Sequence, residues 1–271
     1  MVAGQGGQRG APAELTVSLR AGYGAAAGDW DTGPGRMYNR LAEVLVAAAP
    51  VPLAGRRVLD LGAGTGAAGR AALAAGARQV VAADLAVAML RAAGPALHPV
   101  AANAVALPFR AGSFDLVVAA FCLNHLPDPA AGLAEVRRVG AALAASTFAP
   151  GWTHPAKDAV DAALRPLGYR EPAWHTGVNP APQRLAEQAA TAGFGQVRVR
   201  TVTVPTGLVT PAELAAWRLG LAQFAPFLRA LDGPARAAAR RTAERAVERA
   251  VEQTGAAAEP LTVSMALVTA R

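Results

Sequence analysis

Two acidic residues and a run of glycines lie where two predicted strands end. Residues 58–66 read VLDLGAGTG, a short apolar strand that ends in an acid and alternating glycines. Glycines adopt positive φ angles and lack the Cβ atom that would hold a ligand away from the backbone. Asp84 ends the next predicted strand, about 20 residues further on, where a carboxylate can accept hydrogen bonds from both hydroxyls of a ribose. This spacing predicts a ligand-binding turn at one edge of a sheet.

The residue types in this turn favour one kind of ligand. The carboxylate of Asp60 suits an ammonium group, contacted directly or through water, and Asp84 suits a sugar. Together they describe adenosine with a charged amino-acid tail. The spacing Gly64-x-Gly66-x-x-Gly69 also satisfies the dinucleotide fingerprint, so a nicotinamide oxidoreductase is an alternative. Asp60 weighs against that alternative, because its charge would repel an anionic pyrophosphate.

Alternating short strands and helices surround these residues. Predicted strands cover 57–61, 79–83, 99–102, 114–120, 141–147, 196–204 and 261–269, and predicted helices cover 14–28, 35–49, 67–75, 86–93, 129–139 and 182–192. Strands separated by helices imply crossover connections, and therefore a mostly parallel sheet with helices on both faces. We expect an α/β fold, a Rossmann-like, mostly parallel sheet of seven strands.

Three further stretches complete the predicted domain plan. Residues 1–12 are rich in Gly and Gln without an apolar period, which predicts a disordered tail. Residues 13–271 are predicted to form a single domain, in which 13–50 make an N-terminal helical lid. The connection before the last strand, about 55 residues, is longer than a usual loop, so 205–255 should carry a helical insertion.

Composition and charge narrow the class of protein. The formal net charge is +7, yet Lys157 is the sole lysine, and along 234–252 arginines and glutamates alternate at helical spacing and neutralise one another. Cys122 is the sole cysteine, which excludes an intramolecular disulfide and a thiolate metal cluster. No apolar stretch reaches the ~20 residues that span a bilayer, and the N-terminus lacks a signal-peptide pattern. We expect a cytoplasmic protein without a metal, nucleic-acid or membrane partner.

A second motif lies between the third and fourth predicted strands. Residues 103–117 read NAVALPFRAGSFDLV. Together with 60–66 and Asp84, this motif closely resembles the class I S-adenosylmethionine-dependent methyltransferases, particularly the ubiquinone/menaquinone-type small-molecule branch. The resemblance covers about 55–148 and extends more weakly to Phe194.

The resemblance implies S-adenosylmethionine as the cofactor and assigns its contacts. The residues are Asp60, Gly62, Ala63 and Gly64 around the methionine moiety, Asp84 at the ribose, Leu85 beside the adenine, Asn103 and Ala104 at the adenine edge, and Phe121 close to the sulfonium. Asn103 stands where the family more often has Asp. Its amide retains an acceptor oxygen for the adenine amino group, so binding should survive with altered strength.

The acceptor site is marked less sharply. Candidate substrate-binding residues are four aromatic side chains, Tyr23, Trp30, Tyr38 and Trp152. The first three could form an aromatic lid, whereas Trp152 and His154 follow the fifth strand, where open α/β sheets bind ligands. His125 and His154 are candidate general bases, although His125 also reads as a structural residue. Methyl transfer mainly requires a positioned acceptor and exclusion of water, so a base is not obligatory.

These features predict S-adenosylmethionine-dependent methyl transfer to a small-molecule acceptor, an aromatic or polyketide-like metabolite. The alternative is a cyclase or rearrangement enzyme of secondary metabolism that binds the same cofactor without transferring its methyl group. A nucleic-acid methyltransferase is disfavoured by residues 119–122. Enzymes that modify exocyclic base amines usually carry Asn/Asp-Pro-Pro-aromatic at this point, and this chain reads AAFC.

Overall fold

The computed structural model describes residues 12–176, 181–254 and 260–271, which form one mixed sheet between helices. The strands are β1 (Arg57–Leu61), β2 (Gln79–Asp84), β3 (Val100–Ala101), β4 (Leu116–Ala120), β5 (Leu143–Phe148), β6 (Arg198–Pro205) and β7 (Thr262–Ala270). Their order is β3-β2-β1-β4-β5-β7-β6, with β7 antiparallel to both β5 and β6 and the other neighbouring pairs parallel. The predicted seven-stranded, mostly parallel sheet is confirmed.

Helices occupy the connections between the strands. They are α1 (Pro12–Ala26), α2 (Pro34–Ala47), α3 (Ala67–Ala74), α4 (Val87–Ala93), α5 (Pro129–Val139), α6 (Pro155–Leu164), α7 (Ala173–Thr176), α8 (Pro182–Thr191), α9 (Pro211–Leu219), α10 (Ala225–Ala230) and α11 (Gly233–Thr254). The first two begin and end within two residues of the predicted bounds. The tail predicted over 1–12 lies outside the described residues, apart from Pro12 at the start of α1.

The two faces of the sheet pack into two apolar cores. Side chains of a strand alternate between the faces, and β4 shows this clearly. Leu116 and Val118 belong to the core that contains Met37 of α2, whereas Val117 belongs to the core that contains Leu133 of α5. Helices on both faces therefore hold the strand ends in place.

The turn after β1 is tied to the end of β2. The parallel register pairs Leu61 with Ala83. The N–H groups of Gly62 and Ala63 then both donate to the carbonyl oxygen of Ala83, at 2.8 and 3.1 Å. These hydrogen bonds place the turn beside Asp84, the last residue of β2.

The N-terminal helices pack against the helices that precede β7. A Cβ atom built on Gly220, after α9, would lie 2.4 Å from Cδ of Pro34 at the start of α2. Arg36 and Glu213 form an ion pair across the same contact. Residues 13–50 and 205–255 thus contact each other in their described parts, and whether the first acts as a lid stays a prediction.

Candidate active site

A cavity of about 970 Å³ lies at the carboxyl ends of β1, β2 and β4. It is lined by every residue predicted to contact the cofactor, namely Asp60, Gly62, Ala63, Gly64, Asp84, Leu85, Asn103, Ala104 and Phe121. Small-molecule sites usually occupy ~300–1,000 Å³. The cavity is therefore large enough to hold a cofactor and a second small molecule together.

The glycine turn at the floor of the cavity needs glycine for two different reasons. Gly62 has φ +67°, and a Cβ atom there would lie 2.5 Å from Sγ of Cys122. Gly64 has φ +56° but faces open space, and its N–H donates to Oδ2 of Asp84 at 2.8 Å. Gly62 thus lets the chain after β4 approach closely, whereas Gly64 leaves the backbone open to a ligand.

Asp60 is part of the cavity lining and has one buried carboxylate oxygen without a partner in the described structure. The residue is 1% exposed, and its Oδ2 accepts a hydrogen bond from the N–H of Gly69 at 2.7 Å. Its Oδ1 has no partner among the described residues. Burial raises the pKa of Asp60 to about 7, with the Gly69 N–H opposing and the charge of Asp84 adding to the rise. Because an unpaired buried carboxylate oxygen is costly, this atom fits a ligand that brings a donor, such as an ammonium group.

Asp84 is held by backbone donors and still faces the cavity. Oδ2 accepts from Gly64, and Oδ1 accepts from the N–H of Ala86 at 2.7 Å. Burial raises the pKa of Asp84, and the N–H groups of Ala86, Gly64 and Leu85 oppose that rise. Each carboxylate oxygen keeps a second lone pair, which fits the predicted role at the ribose hydroxyls.

Asn103 faces the cavity but also builds its own turn. Its Oδ1 accepts from the N–H of Val105 at 3.2 Å, and its carbonyl oxygen accepts from Ala106 at 3.0 Å. The oxygen that we expected at the adenine amino group is therefore already engaged in a local turn, with one lone pair left over. Leu85 and Ala104 line the cavity beside it.

Phe121 follows β4 in a left-handed backbone conformation, with φ +51°. Its N–H donates to the carbonyl oxygen and to Oγ of the buried Ser146, at 3.1 and 3.3 Å. Its ring lies edge-on to Tyr38, with the centroids 5.3 Å apart. This conformation strains a non-glycine residue. Such strain persists where the surrounding structure enforces it, as at many functional sites.

A continuous run of rings extends along the cavity wall from Phe121. Tyr38 stacks on Trp30 at 5.3 Å between centroids, and Trp30 contacts Tyr23 at 5.8 Å. Tyr23 contacts both His125 and Trp174 at 6.0 Å. All of these side chains line the cavity. We name this run the aromatic wall.

Tyr23, Trp30 and Tyr38 were expected near the acceptor from sequence, whereas Trp174 and the adjacent Glu171 were not. Glu171 lies just before the short helix α7, and Trp174 lies within it. No motif in the sequence connects either residue with the cofactor turn. The sequence feature that could have indicated them is a group of aromatic residues between β5 and β6 that includes Trp152, Tyr169 and Trp174.

Trp152 and His154 do not line the cavity. The chain continues to pair with β7 beyond the end of β5, since the N–H of Ala149 donates to the carbonyl oxygen of Ser264 at 2.8 Å. Nε1 of Trp152 donates to Thr262 at 2.9 Å, and Nδ1 of His154 accepts from Ala156 at 3.2 Å as the N-cap of α6. These two residues thus make packing and capping contacts outside the cavity lining, and their contact with an acceptor stays a prediction.

Two further reactive side chains of the cavity, those of His125 and Cys122, are uncharged at neutral pH. Burial lowers the pKa of His125 to about 4, and the nearby His175 lowers it further. Burial raises the pKa of the Cys122 thiol, together with the charges of Asp84 and Asp60. His125 is therefore a neutral imidazole, and Cys122 is a thiol rather than a thiolate.

Two kinds of site are absent from the part of the chain that the structure describes. No cluster of three or more His, Cys, Asp or Glu residues there could hold a metal ion. No helix there combines the length and the apolar character that crossing a membrane requires.

The fold and the cavity define an α/β domain with an acidic, glycine-turn site for a nucleoside cofactor. Residues 59–142 match the family described as "Methyltransferase domain". The demethylmenaquinone methyltransferase of Clavibacter sepedonicus is 44% identical over 107 residues, which cover 37% of this chain and 43% of that protein. The chain thus spans less than half the length of this relative. The segment 59–142 is thus a methyltransferase domain, and the similarity to this demethylmenaquinone methyltransferase is limited to 107 residues.

Solved structures with low sequence identity share the fold. A protein assigned to the methyltransferases of an antibiotic biosynthesis pathway in Anabaena variabilis has a TM-score of 0.62 and 14% identity, over 84% of this chain and 96% of that one. The [4+2]-cyclase SpnF has a TM-score of 0.51 and 18% identity, over 86% and 80% of the two chains. At these identities the similarity concerns the architecture alone.

Proposed function

We propose that this protein transfers a methyl group from S-adenosylmethionine to a small-molecule acceptor held against the aromatic wall. The observation that carries this proposal is a single cavity that joins the glycine turn, with its unpaired Asp60 oxygen, to a run of rings. Methyl transfer needs both reactants side by side with water excluded, and one cavity with these two parts meets that need. The matched relatives are covered over about half their length or less, so the activity is a proposal for the whole chain.

The floor of the cavity would hold the cofactor. Oδ1 of Asp60 would accept a hydrogen bond from the ammonium group, and the backbone of 62–64 would lie along the methionine part. Asp84 would accept from the ribose hydroxyls, and Asn103 would meet the adenine edge. When bound, S-adenosylmethionine supplies a methyl group that its positive sulfonium has already activated.

The wall would hold the acceptor. Tyr23, Trp30 and Tyr38 offer broad apolar faces that suit an aromatic or polyketide-like metabolite. His125 is the histidine that borders the same space, and its neutral imidazole could accept a hydrogen bond from an acceptor hydroxyl. We assign the positioning of the acceptor to His125 rather than to His154, because only His125 lines the cavity.

Calorimetry with S-adenosylmethionine tests the first requirement of this proposal, namely that the protein binds the cofactor. We expect saturable binding to the folded protein, and its absence in a sample with native circular dichroism would overturn the proposal. Mass spectrometry of the product then separates transfer from the cyclase alternative. A gain of one methylene with release of S-adenosylhomocysteine indicates transfer, whereas an unchanged mass without demethylated cofactor indicates a cyclase or rearrangement enzyme.

The expectations of a cytoplasmic location and of no nucleic-acid or membrane partner stay predictions. Salt-dependent binding of tRNA or DNA at physiological ionic strength would contradict the second of them. Cell fractionation with an antibody against the protein would test the first.

A further inference from the structure

The charge of the cavity is opposite to the charge of the protein. The whole sequence carries 26 Lys and Arg residues against 19 Asp and Glu residues. The charged residues that line the cavity in the described part of the chain are all acidic: Asp60, Asp84, Asp128 and Glu171. Asp60 is buried at the floor, whereas Asp128 and Glu171 are exposed, and in their ionised form these carboxylates favour cations over anions in the cavity.

Arg70 is the cation at the cofactor end: its Nη1 donates to the carbonyl oxygen of Thr65, and its charge lowers the pKa of Asp60. Two other cations lie near the aromatic wall. The Arg218 side chain is 5% exposed, and its Nη2 donates to both carboxylate oxygens of Asp161 at 2.9 Å. Nζ of Lys157 lies 5.2 Å from the ring centroid of Trp152, outside the cavity lining. Neither side chain forms an ion pair with an acidic residue of the lining in the described structure, and Lys157 and Glu171 attract one another only at longer range.

A smaller neighbouring cavity also contains cationic residues. It measures about 420 Å³, and Glu171 borders it together with Arg165 and Arg170. Nη1 of Arg170 donates to the carbonyl oxygens of Arg165 and Tyr169, at 3.2 and 2.8 Å. The guanidinium of Arg170 is thus engaged with the backbone and leaves Glu171 free of an ion pair with arginine in the described structure.

Glu171 closes the end of the aromatic wall away from Phe121. Its side chain is 39% exposed, and its Oε1 contacts Nδ1 of His175 at 2.5 Å. The adjacent rings of Trp174 and Tyr23 lie 6.0 Å apart at the same end of the cavity. A carboxylate beside aromatic faces is the arrangement that recognises an ammonium group, through charge attraction and cation–π contact.

On the basis of the proposed methyl transfer, we propose that the acceptor is a flat apolar molecule with a protonated amino group. Its rings lie against Trp30 and Tyr38, and its ammonium group binds at Glu171, beside the part of the cavity that Tyr23 and Trp174 line. This group is a recognition element and lies away from the methyl donor, which Phe121 borders. An acceptor with a carboxylate or phosphate in place of the ammonium group would be repelled by Glu171.

Three indoles that differ only in their side chain test this subsite. Tryptamine carries an ammonium, tryptophol a hydroxyl and indole-3-acetate a carboxylate. Their affinities are measured by calorimetry on protein saturated with S-adenosylhomocysteine, so that the cofactor site is filled. We expect tryptamine to bind most tightly and indole-3-acetate most weakly.

A matched pair of variants locates the subsite. Glu171→Gln keeps an oxygen for His175 but removes the charge, and we expect the tryptamine affinity to fall about fivefold. The affinities for tryptophol and S-adenosylhomocysteine should not change. Glu187→Gln removes an exposed carboxylate on α8, outside the cavity lining, and should change none of the three affinities.

Several results would overturn the ammonium subsite. They are equal affinity for the three side chains, preference for the acid, no binding of any indole, and unchanged tryptamine affinity in Glu171→Gln. Failure of S-adenosylhomocysteine to bind would instead refute the proposed methyl transfer. The order of the three indoles on the free protein would then decide the subsite by itself.

Discussion

The floor and the wall of the cavity are built in different ways. The floor consists of Asp60, Gly64 and Asp84, which lie within 25 positions of one another and are held by backbone hydrogen bonds. The wall joins Tyr23 of α1 to Trp174 of α7, two side chains about 150 positions apart in the sequence that meet by ring packing. Backbone geometry thus determines the floor, and side-chain packing determines the wall.

The similarity to known proteins includes the floor and leaves out most of the wall. The family match covers 59–142, which contains the floor, whereas Tyr23, Tyr38 and Trp174 lie outside it. A floor bound to one cofactor has little freedom to vary, because its glycines and carboxylates each contact the ligand or the turn. The wall can change its side chains without disturbing those contacts. We infer that the choice of acceptor resides in the part of the chain that the match does not cover.

Removal of the Asp84 carboxylate should have the largest effect and should act on the floor alone. Asp84→Ala removes the acceptor for two ribose hydroxyls, and hydrogen bonds to a charged group contribute ~1.5–3 kcal/mol each. We expect the affinity for S-adenosylmethionine to fall at least about 100-fold, measured by calorimetry. Asp158→Ala, at an exposed position of α6, is the control. Unchanged affinity in Asp84→Ala would contradict the assignment of Asp84 to the ribose of the cofactor.

Alanine at the two glycines of the floor should separate steric clash from backbone strain. Both have positive φ, which costs a non-glycine residue ~1–2 kcal/mol. Gly62→Ala also forces a Cβ atom against Sγ of Cys122, at 2.5 Å, and overpacking adds ~1–3 kcal/mol. Urea unfolding should show the larger loss of stability in Gly62→Ala. Equal losses in Gly62→Ala and Gly64→Ala would mean that Cys122 moves aside.

Acidification should weaken the floor through Asp60. Burial raises its pKa to about 7, so the carboxylate that answers an ammonium group becomes protonated below that pH. We expect the affinity for S-adenosylmethionine to fall by up to about tenfold per pH unit below pH 7. Asp60→Asn should bind weakly with no such dependence. A flat pH profile in the wild-type protein would show that Asp60 stays ionised.

The same residue makes an opposite contribution to stability without ligand. Its pKa is higher in the folded protein than the value of about 3.9 for an unfolded chain. Between these two values the folded state holds a proton that the unfolded state has released. The free energy of unfolding should therefore decrease as the pH rises through this window. In Asp60→Asn this part of the pH dependence should vanish, as measured by urea unfolding at several pH values.

A change in the wall should leave the floor intact, and this effect is the smallest of the series. Tyr23→Leu removes ring contacts with Trp30 and Trp174 while keeping an apolar side chain. Aromatic pairs contribute ~0.5–1.5 kcal/mol, so tryptamine affinity should fall about fivefold. The affinity for S-adenosylmethionine should stay within about twofold of wild type. A comparable loss of both affinities would show that floor and wall act as one unit.

The residues of the floor could be predicted from the sequence because the patterns that specify them are local. A strand, a glycine turn and a helix are specified by neighbouring residues, and Asp60 and Asp84 are placed by the ends of two adjacent parallel strands. The same locality explains the correct prediction of seven strands. Asn103 also lines the cavity while its amide oxygen accepts a hydrogen bond in a local turn, so its contact with adenine stays a prediction.

The sequence by itself thus determined the sheet, the glycine turn and the pair of carboxylates. Only the tertiary structure decided that Trp174 joins Tyr23, and that Trp152 and His154 turn away towards β7 and α6. The physical reason is the range of the interactions. Hydrogen bonds of a turn form between near neighbours in the chain, whereas a wall forms only after distant helices have packed and brought their side chains together.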